Sequence, residues 1–209
     1  MQSTPIRLAS LCLAGLLWLG AALALGGSGA LKALRPPAPQ LILVSLTFAL
    51  LAAASWIPPL RAWALGVDLR VLVGIHVTRL VGAEFLAFYR RGELPFAFAV
   101  PGGWGDIPVA TLALLVIAIG PPHTRGRRLV YAAWNLLGLG DLLFVVVTAA
   151  RLALADPDSM RALLRLPLSL LPTFLVPLLI ASHILIAVRL RLIPRYRIGE
   201  ANSGGIGVS

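Results

Sequence analysis

Six apolar stretches, each close to the length that crosses a bilayer, recur along this chain and leave little room for any other plan. A helix rising about 1.5 Å per residue needs about 20 residues to cross roughly 30 Å of hydrocarbon. The stretches run from Leu8 to Leu25, Leu41 to Trp56, Val71 to Tyr89, Ile107 to Ile119, Leu129 to Ala150 and Leu166 to Val188. Gly26-Gly27-Ser28-Gly29, Pro58-Pro59, Arg90-Arg91 and Gly120-Pro121-Pro122 separate them, and these are residues that end helices or mark interfaces. With 59% hydrophobic residues and only 12% charged, a soluble fold of this length would expose more oily surface than water tolerates. The expected fold is all-α, a polytopic membrane bundle of about six helices forming one domain over residues 1–197. The Gly- and Ser-bearing tail, residues 198–209, is expected to be disordered.

The first stretch has a second reading. Arg7, an apolar run and the small residues around Ala22-Leu23-Ala24 resemble a secretory signal peptide. The run is longer than a usual signal core, which favours a retained span. The fourth stretch is short, because Leu94 to Asp106 holds Pro95, Pro101, Gly102, Gly103 and Gly105. Those residues predict an interfacial or re-entrant loop, with Asp106 as the N-cap of the following helix.

The net charge is +10, but the cations sit at the ends of apolar runs, where they act as topology signals. No basic stripe interleaved with aromatics accompanies them, so nucleic acid is not an expected partner. With six spans, Arg7, Arg61, Arg70, Arg125, Arg127, Arg128, Arg189, Arg191, Arg195 and Arg197 share one side. Lys32, Arg35, Arg90, Arg91, Arg151, Arg161 and Arg165 share the other. Ten cations against seven place both termini in the cytoplasm by the positive-inside rule. Arg in place of Lys, with abundant Ala, Leu and Gly, suggests a GC-rich bacterium and hence its inner membrane. Cys12 is the single cysteine, which excludes an internal disulfide.

The functional signal lies in ionisable residues inside the apolar runs, where each costs about 2.5–3.5 kcal/mol to insert. They are His76, Arg79 and Glu84 on the third run, Asp141 on the fifth and His183 on the sixth, with Asn135 as a weaker polar companion. Counting from the helix ends puts His76, Asn135 and His183 in one layer, with Asp141 farther from the terminal side and Glu84 slightly beyond it. At about 100° per residue, His76, Arg79 and Glu84 share an arc of about 140°. The expected site faces Arg79, Glu84 and Asp141 inward, with Arg79 paired to one of the carboxylates and the other left to hold a proton. Gly138 and Gly140 would admit a neighbouring helix, and Pro167, Pro172 and Pro177 would free backbone carbonyls on the sixth.

Three functions fit these residues. The first is a polar site at Arg79, Glu84, Asp141, Asn135 and Asp106 for proton-linked transport or binding of a small solute. The second is a b-type haem held between His76 and His183; zinc is disfavoured, because no third ligand accompanies them and His123 lies in a loop. The third is a purely structural or assembly role in which the ion pair fixes helix packing. Nucleophile elbow, HExxH, phosphate-binding loop and CxxC pairs are all missing, which argues against an enzyme.

Two segments carry a resemblance. His76 to Pro108, with Arg79, Gly82, Glu84, Leu94-Pro95 and Pro101-Gly102-Gly103-Trp104-Gly105-Asp106, is one. Trp134-Asn135, Gly138 and Asp141, followed by Leu166-Pro167 through Pro172, Pro177 and His183, form the other. Together they resemble a group of small bacterial multi-pass membrane proteins of uncharacterised function. The resemblance implies a helical membrane fold and brings no activity, substrate or cofactor.

Overall fold

Residues 8–192 are described by a computed structural model. The expected disorder of residues 198–209, and the topology signals Arg7, Arg195 and Arg197, lie outside the described residues. The chain is an all-α bundle with no strand among those residues. Helix α1 spans Leu8–Gly27, α2 Ala38–Trp56 and the short α3 Pro58–Gly66. The third span, Leu69–Arg90, joins α4 (Leu69–Gly74), a 3-10 stretch (Ile75–Val81) and α5 (Gly82–Arg90). Helices α6 (Phe96–Ala118) and α7 (Arg125–Ala155) follow. A 3-10 segment (Pro157–Leu164) then leads to a π-helical turn (Leu171–Leu175) that opens α8 (Val176–Leu192). Six of these spans are long and apolar enough to cross a membrane. Their outward faces carry Leu17, Phe48, Leu115 and Leu136 largely exposed, as expected where lipid is the solvent.

The loop expected before the fourth span is helix. Helix α6 starts at Phe96 and continues through both Pro101 and Pro108 to Ala118. Pro95 holds the extended N-cap, which leaves Pro101 near the second turn and only Pro108 deep in the helix. The glycines serve packing rather than turning. A Cβ on Gly103 would lie 2.7 Å from the Gly82 carbonyl, so α5 and α6 meet backbone to backbone. Asp106 is therefore mid-helix and buried, and it caps nothing.

The prolines of the sixth span free a carbonyl, as the sequence suggested, but another helix takes it. Pro177 has no N–H to offer Thr173. The Trp18 indole of α1 donates to that Thr173 carbonyl at 3.0 Å and packs edge-on against Phe174 with ring centroids 4.6 Å apart. One tryptophan thus ties the first span to the bundle.

Two apolar clusters flank a polar layer. Phe85, Phe98, Leu142, Val145 and Leu179 belong to one. Val73, Val109, Tyr131, Trp134 and Ile186 belong to the other, nearer the ends that carry the termini. Along the third, fourth, fifth and sixth spans, His76 and Arg79, then Asp106, then Asn135 and Asp141, then Ser182 and His183 fall between members of the two clusters. That register brings side chains from four helices to one level.

Candidate functional site

Arg79 is the centre of this level, 1% exposed in the middle of an apolar bundle. Its guanidinium reaches three acceptors on two other helices. Nε donates to Asp106 Oδ1 of α6 at 2.6 Å, and Nη1 donates to the Gly138 carbonyl of α7 at 2.7 Å. Nη2 donates to Asp141 Oδ2, also of α7. A planar fork with five N–H groups suits such a junction, whereas a Lys ammonium could not span it. One guanidinium faces two carboxylates, so a proton or another cation is required for electrical balance. Gly105 makes the arrangement possible, because a Cβ there would collide with the Asp141 carboxylate.

Glu84 is absent from this cluster. It is exposed on the outer face of α5, and the partner expected of it is supplied by Asp106. The 3-10 stretch explains the change. In a 3-10 helix residues three apart eclipse, which aligns His76 with Arg79 on one buried face. The tighter winding carries Glu84 to about 180° from Arg79, in place of the about 140° of a continuous α-helix. Asp106 was among the expected site residues, but its proline- and glycine-rich neighbourhood made it read as an N-cap rather than as the partner of Arg79.

Just beyond Arg79, toward the ends bearing the termini, lies the histidine layer. His76 and His183 are both fully buried, with ring centroids 4.0 Å apart, and Trp134 packs against each. Asn135 Nδ2 donates to the His183 carbonyl at 3.2 Å, which orients the amide. Its Oδ1, 2.9 Å from His183 Nδ1, then accepts the Nδ1 proton. Ser182 Oγ donates to the Leu179 carbonyl at 2.9 Å, so it accepts from His76 Nε2 at 2.8 Å. In these tautomers each ring keeps one lone pair, on His76 Nδ1 and His183 Nε2, and neither atom has a partner. Replacing Ser182 by Ala should leave His76 Nε2 unsatisfied and lower stability by about 1–3 kcal/mol. Chemical denaturation in detergent, followed by Trp fluorescence, measures that loss.

A haem does not fit between the two rings. Bis-His ligation places a flat macrocycle and its iron between opposed imidazoles. Here the rings touch, and the His76 Nε2 is engaged by Ser182. Among the described residues there is also no group of three or more His, Cys, Asp or Glu side chains placed to hold a metal.

A cavity of about 590 Å³ leads to Arg79 from the other side of the bundle. Lys32, Arg35, Asp158 and Arg161 stand at its outer end, and Arg79 and Asp106 close its inner end. Leu43, Phe85, Phe98, Leu142, Val145 and Leu179 form much of the wall between. Small-molecule sites commonly enclose about 300–1,000 Å³ and are mainly apolar, with few polar groups.

Residues 36–191 match the sequence profile of a domain of unknown function (DUF8737). The chain belongs to the DUF8737 family. The DUF8737 region contains every residue of the Arg79 cluster and of the histidine layer, while α1, Lys32 and Arg35 precede it. No curated protein and no solved structure shows significant similarity to the chain.

Proposed function

We propose that this is a multi-pass protein of the bacterial inner membrane, with both termini in the cytoplasm, that binds a small solute in its cavity and couples that binding to a proton. The observation that carries the proposal is the position of Arg79. It closes the inner end of a cavity open toward Lys32 and Arg35, and it also holds the third, fourth and fifth spans together. The cluster acts as a gate. A proton on Asp106 or Asp141 removes one of the two negative charges that clamp Arg79, which loosens the junction of those spans. Beyond the gate, the free lone pairs on His76 and His183 offer the next acceptors toward the termini. His183 lies against Gly138, whose carbonyl Arg79 already binds.

The test uses Val146→Cys, which lines the cavity, in a Cys12→Ser background. A membrane-impermeant thiol reagent should modify Cys at this position only from the side opposite the termini. Adding Asp141→Asn, which imitates the protonated gate, should raise the labelling rate at least severalfold or admit reagent from the terminal side. Labelling that is indifferent to Asp141→Asn, while that substitution lowers thermal stability, would leave the cluster with a packing role alone.

A further inference from the structure

We infer that the occupant of the cavity is an anionic phospholipid of the surrounding leaflet, its phosphate at Lys32 and Arg35 and one acyl chain inside. This rests on the cavity proposed above as the binding site and names its ligand class.

The first observation is a window. Helix α2 packs on α8 and α3, and α7 packs on α6 and α8, but among the described residues α2 and α7 make no extended contact. The cavity occupies that gap. Val44 of α2 and Val147 of α7 both line it and are 45% and 55% exposed. An opening between two lipid-facing helices admits molecules from among the acyl chains. A water-soluble solute would need a way in from the aqueous phase alone.

The second observation is the wall. Between the rim and the inner end it is mostly aliphatic and aromatic, with Gln40 and Thr78 its polar members, which suits a methylene chain better than a polar solute. The inner end offers no free cation to a head group, because the Arg79 charge is already met by the two carboxylates of Asp106 and Asp141. The ion cluster therefore stops the chain rather than binding a head group.

The third observation is charge at the mouth. The cavity's outer end carries Lys32, Arg35 and Arg161 against Asp158 alone. Arg161 is paired with Asp158 at 2.8 Å, whereas Lys32 and Arg35 have no ion pair among the described residues. The 3-10 turn Ala30–Ala33, anchored by buried Leu31, holds Lys32 beside the segment Pro157–Leu164. Two unpaired cations above an apolar channel at the membrane surface complement a phosphate whose chain points inward.

Native mass spectrometry of delipidated protein in detergent tests this, with phosphatidylglycerol, phosphatidylcholine and palmitate added separately. One phosphatidylglycerol should be retained. Lys32→Gln with Arg35→Gln should weaken it by about tenfold or more. Ala149→Phe, which fills the cavity wall and leaves the rim cations intact, should weaken it similarly. Phosphatidylcholine retained as tightly as phosphatidylglycerol, or no effect of removing the two cations, overturns the anionic head. Binding unchanged by Ala149→Phe overturns the placement of the chain, and retention of palmitate in preference to phosphatidylglycerol overturns the phospholipid. If these fail while Cys at 146 is still reached from the side opposite the termini, the cavity function stands and only its ligand is wrong. If these fail and Cys at 146 is also not reached, the function itself fails.

Discussion

Replacing Arg79 by Met is expected to destabilise the protein by about 3–5 kcal/mol, the range found when one partner of a buried ion pair is removed. The substitution keeps most of the side-chain volume but strands Asp106 and Asp141, which lose the guanidinium that neutralises them. Gly138 would lose a donor to its carbonyl at the same time. Arg79→Lys should recover only part of the loss, because an ammonium cannot reach acceptors on α6 and at two positions of α7 together. The triple variant Arg79→Met, Asp106→Leu, Asp141→Asn supplies the control. With the charges gone, apolar packing should restore most of the stability. Unfolding in mixed detergent micelles, read by Trp fluorescence, gives all three values. An Arg79→Met protein within about 1 kcal/mol of the parent would mean that the cluster is not desolvated, and both the gate and its burial would have to be abandoned.

The fate of Arg79 and its partners shows what the sequence could and could not disclose. Length and hydropathy disclose all six spans, though the fourth begins at Phe96 rather than Ile107, because crossing hydrocarbon imposes a composition that nothing else in the chain imitates. Depth was equally legible: His76, Asn135 and His183, matched by counting along three helices, meet in one hydrogen-bonded layer. Azimuth was not. A constant 100° per residue kept Glu84 and Arg79 within one arc of about 140°, and the 3-10 winding over Ile75–Val81 turned Glu84 to the far side. No pattern within that span reveals such winding, which coincides with the close approach of α6 at Gly82. Asp106 was expected in the site, but a related ambiguity made it an N-cap rather than a mid-helix partner of Arg79. Pro and Gly near a helix end read as loop chemistry, yet within a membrane bundle small residues also mark where two backbones touch. Only the distance from Gly82 to Gly103 decides between the two meanings.

That distance yields the second large effect. Gly103→Ala should cost at least about 1–3 kcal/mol, the usual penalty of overpacking. Its Cβ would stand 2.7 Å from the Gly82 carbonyl and 2.8 Å from Leu86 Cγ. Leu86 can turn aside, but the carbonyl belongs to the backbone of the third span. Pairing the substitution with Leu86→Ala should therefore relieve only the smaller part of the strain. The helices must separate, and that movement draws Asp106, three residues on from Gly103, away from Arg79. Gly140 provides the contrast on α7. Nothing lies within 4 Å of a Cβ built there, so Gly140→Ala should be neutral or stabilise the helix by up to about 1 kcal/mol. Both substitutions add one methyl group to a glycine in a membrane-spanning helix. A composition-based account predicts the same result for each, whereas backbone contact between α5 and α6 predicts opposite signs. Equal and small changes at the two positions would show that the third and fourth spans do not approach closely enough to bury the Arg79–Asp106 pair.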